Sequence, residues 1–94
     1  MLTYNAAYKF LSDGVHAEVL DFAGVISFGK DLEEARRLLA SALIDRAETN
    51  LLAGEPLPKP DASVSEFDAD LEEPIHLLLT AASHVTVVPT YEAA

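Results

Sequence analysis

Residues 31–54, DLEEARRLLASALIDRAETNLLAG, carry the clearest structural signal in the chain. Asp31 stands where a helix cap belongs. Glu34 follows at the three-residue spacing of a capping box, in which two side chains satisfy amides that a first helical turn leaves unbonded. Leu32, Ala35, Leu39, Ala42 and Leu43 recur at three and four residues, with Leu38 beside them, so one apolar stripe runs along the segment. Glu33 and Arg37 lie four apart in the order that favours an ion pair on the outer face. Gly54 can take the left-handed conformation that ends a helix. The spacing predicts a helix over Leu32–Ala53, about 33 Å long at roughly 1.5 Å per residue.

Upstream the period changes from helical to two. Leu2, Tyr4, Tyr8 and Phe10 occupy even positions, and Thr3, Asn5 and Lys9 occupy odd ones, as a strand with one buried face requires. Ser12-Asp13-Gly14 is a turn signal. Val15, Ala17 and Val19 then alternate with His16 and Glu18, so the two runs read as a hairpin. Asp21-Phe22-Ala23-Gly24 marks a second turn before a short third strand, Val25–Phe28, which ends at Gly29. The rings of Tyr4, Tyr8, Phe10, Phe22 and Phe28 are assigned to the core, because a base-stacking platform would need flanking cations and only Lys9 and Lys30 are near.

Downstream, Pro56, Pro58 and Pro60 each remove an amide donor and favour an extended connection. Glu66–Glu73 holds five acids in eight residues and is expected to be exposed. Residues 55–74 thus read as one long proline-rich and acidic connection, of the kind that is often functional. Ile75–Thr80 and Val85–Val88 read as strand, broken near Ala81–His84, with a helix through Leu77–Ala82 as the alternative. Thr90–Ala94 reads as a loose tail. The fold class is therefore α+β: a three-stranded antiparallel meander, one long helix, then one or two further strands, in a single domain spanning residues 1–94.

Charge narrows the function. The formal net charge is −10, from 16 acidic and 6 basic side chains. Residues 1–60 hold nine acids and six bases, or −3, and residues 61–94 hold seven acids with no lysine or arginine, or −7. Nucleic acid and anionic membranes call for clustered cations, so neither is an expected ligand. A basic protein partner is favoured instead, since opposite fields speed encounter and reject wrong partners. No apolar run approaches the roughly 20 residues that span a bilayer. The absence of cysteine suits a reducing compartment, and a cytoplasmic location is expected.

No catalytic constellation emerges, and an enzyme is not expected. His16, His76 and His84 lack the close spacing that sets two imidazoles on one ion, so no metal or cofactor is expected. The serines sit in no G-x-S-x-G context, and the four glycines form no phosphate loop.

The ordered set of turns and signatures resembles the HicB family of antitoxins. It comprises Asp13-Gly14, Asp21-Phe22-Ala23-Gly24, Val25 to Gly29, Leu32-Glu33-Glu34-Ala35 and the exit Gly54-Glu55-Pro56-Leu57-Pro58-Lys59-Pro60. The likeness covers residues 2–60 closely and the rest loosely. Ala23 stands where the family usually has proline. The resemblance implies a partial ribonuclease-H-like fold without a ribonuclease site, homo-oligomers, and a role in binding and neutralising a small basic messenger-RNA-cleaving toxin of the HicA type. The C-terminal DNA-binding module of many relatives is absent, so operator binding by this chain alone is not expected. Exposure and charge nominate Asp21, Glu33, Glu34, Glu66, Asp68, Asp70, Glu72 and Glu73 as the acids that meet a basic partner. The competing reading is a stand-alone oligomeric scaffold or ligand-binding domain.

Overall fold

The structure is a computed structural model that describes residues 1–81 and 84–88. Its elements are β1 (Leu2–Leu11), β2 (Gly14–Val19), β3 (Ile26–Gly29), α1 (Leu32–Leu52), β4 (Leu71–Ala81) and β5 (His84–Val88). The strands form one sheet in the order β3-β2-β1-β4-β5, and every neighbouring pair is antiparallel. This is the expected α+β order, with two strands after the helix.

The two-residue period of β1 decides which face is covered. Tyr4, Ala6 and Tyr8 are buried, and the register sets Val19 beside Ala6 and Ala17 beside Tyr8 on β2. On the other side it sets Ile75 beside Tyr4 and Leu77 beside Leu2 on β4. Onto this face α1 lays Ala35, Leu39, Leu43 and Ala47, each four residues from the last and all fully buried. Their spacing is one ridge of an α-helix. Truncating Leu39 or Leu43 to alanine would cost about 2–5 kcal/mol, the range for deleting a packed leucine. Phe22 closes one end of the core, its ring 5.4 Å from that of Tyr4.

The helix ends are built largely as expected. Asp31 caps the start by accepting the Glu34 amide at 2.9 Å. Glu34 reaches back one residue beyond the capping-box partner, to the Lys30 amide at 2.9 Å. The helix stops at Leu52, and Gly54 takes φ +74° while its amide bonds the Leu51 carbonyl at 3.1 Å. The outer-face pair differs: Arg37 lies 3.6 Å from Glu34, not against Glu33.

Three other expectations are corrected. Phe10 and Phe28 are 49% and 47% exposed. Phe28 lies on the face that the helix leaves open, and Phe10 lies near the end of β1. β4 starts at Leu71, four residues before the expected strand, so Leu71–Pro74 are sheet and not connection. The alternative helix through Leu77–Ala82 is excluded as far as Ala81 by the same strand.

Pro74 is tolerated in β4 for a geometric reason. Its cross-strand neighbour Asn5 sends its amide to Asp21 and receives the Leu20 amide at its carbonyl, so both its main-chain groups turn away from β4. The Asn5–Pro74 pair is therefore a non-hydrogen-bonded one, and proline loses no ladder bond there. The expected tail Thr90–Ala94, and Pro89 before it, lie outside the described residues.

Candidate partner-binding surface

The face of the sheet opposite α1 is where the acidic connection comes to rest. Its floor follows from alternation. Ala7 pairs with Glu18 and Lys9 with His16 across β1 and β2, and Glu18 and His16 pair in turn with Ile26 and Phe28 on β3. The connection first meets the core: Leu57 packs against it, and the Tyr4 hydroxyl donates to the Pro58 carbonyl at 2.7 Å. It then reaches the open face, where the Asn5 side-chain amide donates to the Val64 carbonyl at 3.2 Å.

There the chain makes a tight turn. The Ala69 amide donates to the Glu66 carbonyl at 3.0 Å, which leaves Phe67 and Asp68 at the apex. Four side chains fix this shape. Glu72 Oε2 accepts the Ser65 hydroxyl at 2.7 Å and the Glu66 amide at 3.1 Å. Lys9 Nζ donates to the Asp68 carbonyl at 2.8 Å. Asp70 Oδ2 accepts the Phe10 amide at 2.7 Å and lies 3.9 Å from Lys9 Nζ. Just upstream, Asp61 accepts the hydroxyl and the amide of Ser63, which together hold its carboxyl below the ordinary range. Between turn and sheet lies an open groove of about 280 Å³, lined chiefly by Ala7, Lys9, His16, Glu18, Glu66 and Asp68.

The eight acids chosen from the sequence do not form one patch. Asp21 sits at the β2–β3 turn, where Oδ1 accepts the Asn5 amide at 2.8 Å and Oδ2 the Asp61 amide at 3.0 Å. Glu33 and Glu34 are in the first turn of α1, and Glu34 caps it. Glu73 is on the helix-covered face, bonded to Arg36 through Nε at 2.9 Å and Nη2 at 2.7 Å. Glu66, Asp68, Asp70 and Glu72 do gather at the turn; Asp70 and Glu72 are engaged in holding it, and Glu66 Oε1 accepts the Asp68 amide at 3.3 Å within it. The carboxylates of Glu33 and Asp68 make no hydrogen bond or ion pair among the described residues.

Sequence reasoning set Lys9, His16 and Glu18 on the polar sides of their strands but nominated neither them nor Phe67 for partner binding. The first three share a face by the two-residue period that defined the hairpin. Phe67 was legible as a lone ring inside an acidic run. Among the described residues no group of three or more histidine, aspartate or glutamate side chains stands together as a metal would require, and no helix is long and apolar enough to cross a membrane.

A five-stranded antiparallel sheet with one helix on one face and a pinned acidic turn on the other defines a small α+β domain with an exposed, cation-poor surface. The UPF0150-like family matches residues 4–58, more than half of the chain, and the chain belongs to that family. No curated protein and no solved structure matches it.

Proposed function

We propose that the chain is an antitoxin-type inhibitor that binds a small basic RNA-cleaving toxin of the HicA type, and that it is not itself an enzyme. Membership in the UPF0150-like family and the resemblance of residues 2–60 to HicB antitoxins support this reading. The observation that carries it is the Glu66–Ala69 turn, which holds the Glu66 and Asp68 carboxylates beside a groove that Glu18 also lines. The one lysine of that groove is spent on the turn's own carbonyl. A protein surface built to grip RNA is positive, so a cover for it gains from fixed carboxylates that stand where phosphates would.

The test follows from how the acids divide. Glu18→Gln, Glu66→Gln and Asp68→Asn together remove charge and leave Asp70 and Glu72 in place, while Glu66→Gln keeps an oxygen to accept the Asp68 amide. Binding of a small basic HicA-type toxin should weaken by about tenfold or more at low salt, with the difference shrinking as salt screens it. Unchanged affinity would remove the electrostatic reading.

A second reading, a stand-alone oligomer, has its own observation. β3 is an edge strand without a charged residue, and Ile26 and Phe28 are about half exposed on it. Such an edge is open to pairing with another strand. Sedimentation of the isolated chain, with Phe28→Lys as the comparison, separates the two: a stable oligomer that the lysine dissociates, and no complex with a basic partner, would favour the scaffold.

A further inference from the structure

We infer that Phe67 is the apolar anchor of this surface, inserting into a hydrophobic socket on a positively charged protein. The inference rests on the antitoxin reading and deepens it by naming the residue that sets complex lifetime. Phe67 is 97% exposed, more than any other large apolar side chain described. Single exposed apolar residues are ordinary on protein surfaces, so exposure alone decides nothing. Its setting does. The ring stands at the apex of a turn whose backbone is held by Lys9, Ser65, Asp70 and Glu72, so the main chain that presents it is already ordered. A pre-ordered loop loses little further entropy when it docks.

Charge complementarity identifies the occupant. Glu66 and Asp68 flank the ring, with Glu18 across the groove, and the chain carries −10 overall. A second copy of this chain or a nucleic acid would meet like charge there. A basic protein would not. The division of labour is that of a central aromatic with a polar rim: carboxylates guide the encounter and the ring's burial, roughly 150–250 Å² for an aromatic side chain, sets the off-rate.

The experiment measures association and dissociation rates of a small basic HicA-type toxin with the unaltered chain and with Phe67→Ala, Phe67→Leu and the Glu66→Gln/Asp68→Asn pair. Phe67→Ala should weaken binding about thirtyfold, the loss typical of a hot-spot residue, through faster dissociation and equally at about 0.1 M and 0.5 M salt. Phe67→Leu should recover most of it. The acid pair should instead slow association, and only at low salt. Thermal melting of Phe67→Ala should match the parent, and a lowered melt would contradict the exposed placement and overturn the inference. Parent-like affinity for Phe67→Ala would overturn the anchor and leave the antitoxin reading standing. Failure of the unaltered chain to bind would remove that reading, and the anchor with it.

Discussion

Arg36 on α1 holds Glu73 on β4 through two parallel hydrogen bonds, 2.9 and 2.7 Å long, with its guanidinium carbon 6.0 Å from the centre of the Tyr8 ring. The side chains are only 23% and 19% exposed. Fork-to-fork geometry and partial burial distinguish this pair from surface ion pairs worth almost nothing. It ties the helix to the strand that follows it after a long connection.

Removing one partner should therefore hurt more than removing both. Arg36→Ala leaves the Glu73 carboxylate partly buried without its counter-charge and should cost about 2–3 kcal/mol, toward the low end for breaking a buried pair because some solvent reaches it. The double replacement Arg36→Met with Glu73→Leu should recover most of that loss. Urea unfolding midpoints of the parent and the two variants check the order, and a double variant less stable than Arg36→Ala would contradict it.

Tyr8 lies under the same pair and makes stability depend on alkaline pH. Burial raises its phenol far above the ordinary value of 10.0, and the nearby Glu73 carboxylate adds to the rise while Arg36 opposes it. Because the folded value exceeds the unfolded one, the contribution to stability is complete below about pH 10. It declines as pH climbs past that value and the unfolded chain releases a proton that the native state keeps. Each such proton is worth up to about 1.4 kcal/mol per pH unit. Tyr8→Phe should thus flatten the fall in denaturant midpoint above pH 10, leaving a remainder from Tyr4, which burial and Asp21 also raise. Equal alkaline slopes for parent and variant would refute this.

Two glycines are required for different reasons, and substitution separates them. A Cβ on Gly29 would run into the Ala35 amide and lie 2.9 Å from the Ala35 Cα, so backbone would have to move. Gly29→Ala should cost about 1–3 kcal/mol, and the larger Gly29→Asn more. Gly54 has open space but sits at φ +74°. Gly54→Ala should cost about 1–2 kcal/mol, whereas Gly54→Asn should be nearly neutral, because asparagine accepts that conformation. Chemical denaturation of the four variants tests the crossover.

How much of this was legible in the sequence depends on whether the cause was local. The limits of β1, the Asp31 cap and the Gly54 stop follow from neighbours within four residues, and the structure places them as read. The start of β4 does not. Glu72, Glu73 and Pro74 are poor strand residues by type, and they pair only because β1 offers Ala7, Ala6 and Asn5 opposite them. Glu73 reads as a solvated acid until Arg36, 37 residues away, is set over it. Phe28 alternates correctly for a strand, but alternation does not say that α1 covers only the other face. The candidate surface was legible as an acidic segment and illegible as a turn, since Ser65 and Asp70 fix it only together with Lys9 and Phe10 on β1 and Glu72 on β4.

The acid that opens the β2–β3 turn gives the sharpest separation of framework from surface. Asp21 receives two amides from segments distant in sequence, Asn5 on β1 and Asp61 at the end of the proline run. An asparagine there offers one oxygen in place of two and turns an NH₂ toward the second amide. Asp21→Asn should destabilise by about 1.5–3 kcal/mol, the range for hydrogen bonds to a charged group. Glu33→Gln and Asp68→Asn remove equal charge from carboxylates without partners among the described residues, and each should stay within about 0.5 kcal/mol of the parent. High salt discriminates between the causes. If the Asp21 effect were general relief of repulsion in a −10 chain, all three variants would gain stability alike and converge on the parent at about 1 M salt. Because it is the loss of two specific acceptor contacts, only Asp21→Asn should remain destabilised there, and a parent-like melting temperature for that variant in concentrated salt would show that the two amides do not depend on the carboxylate.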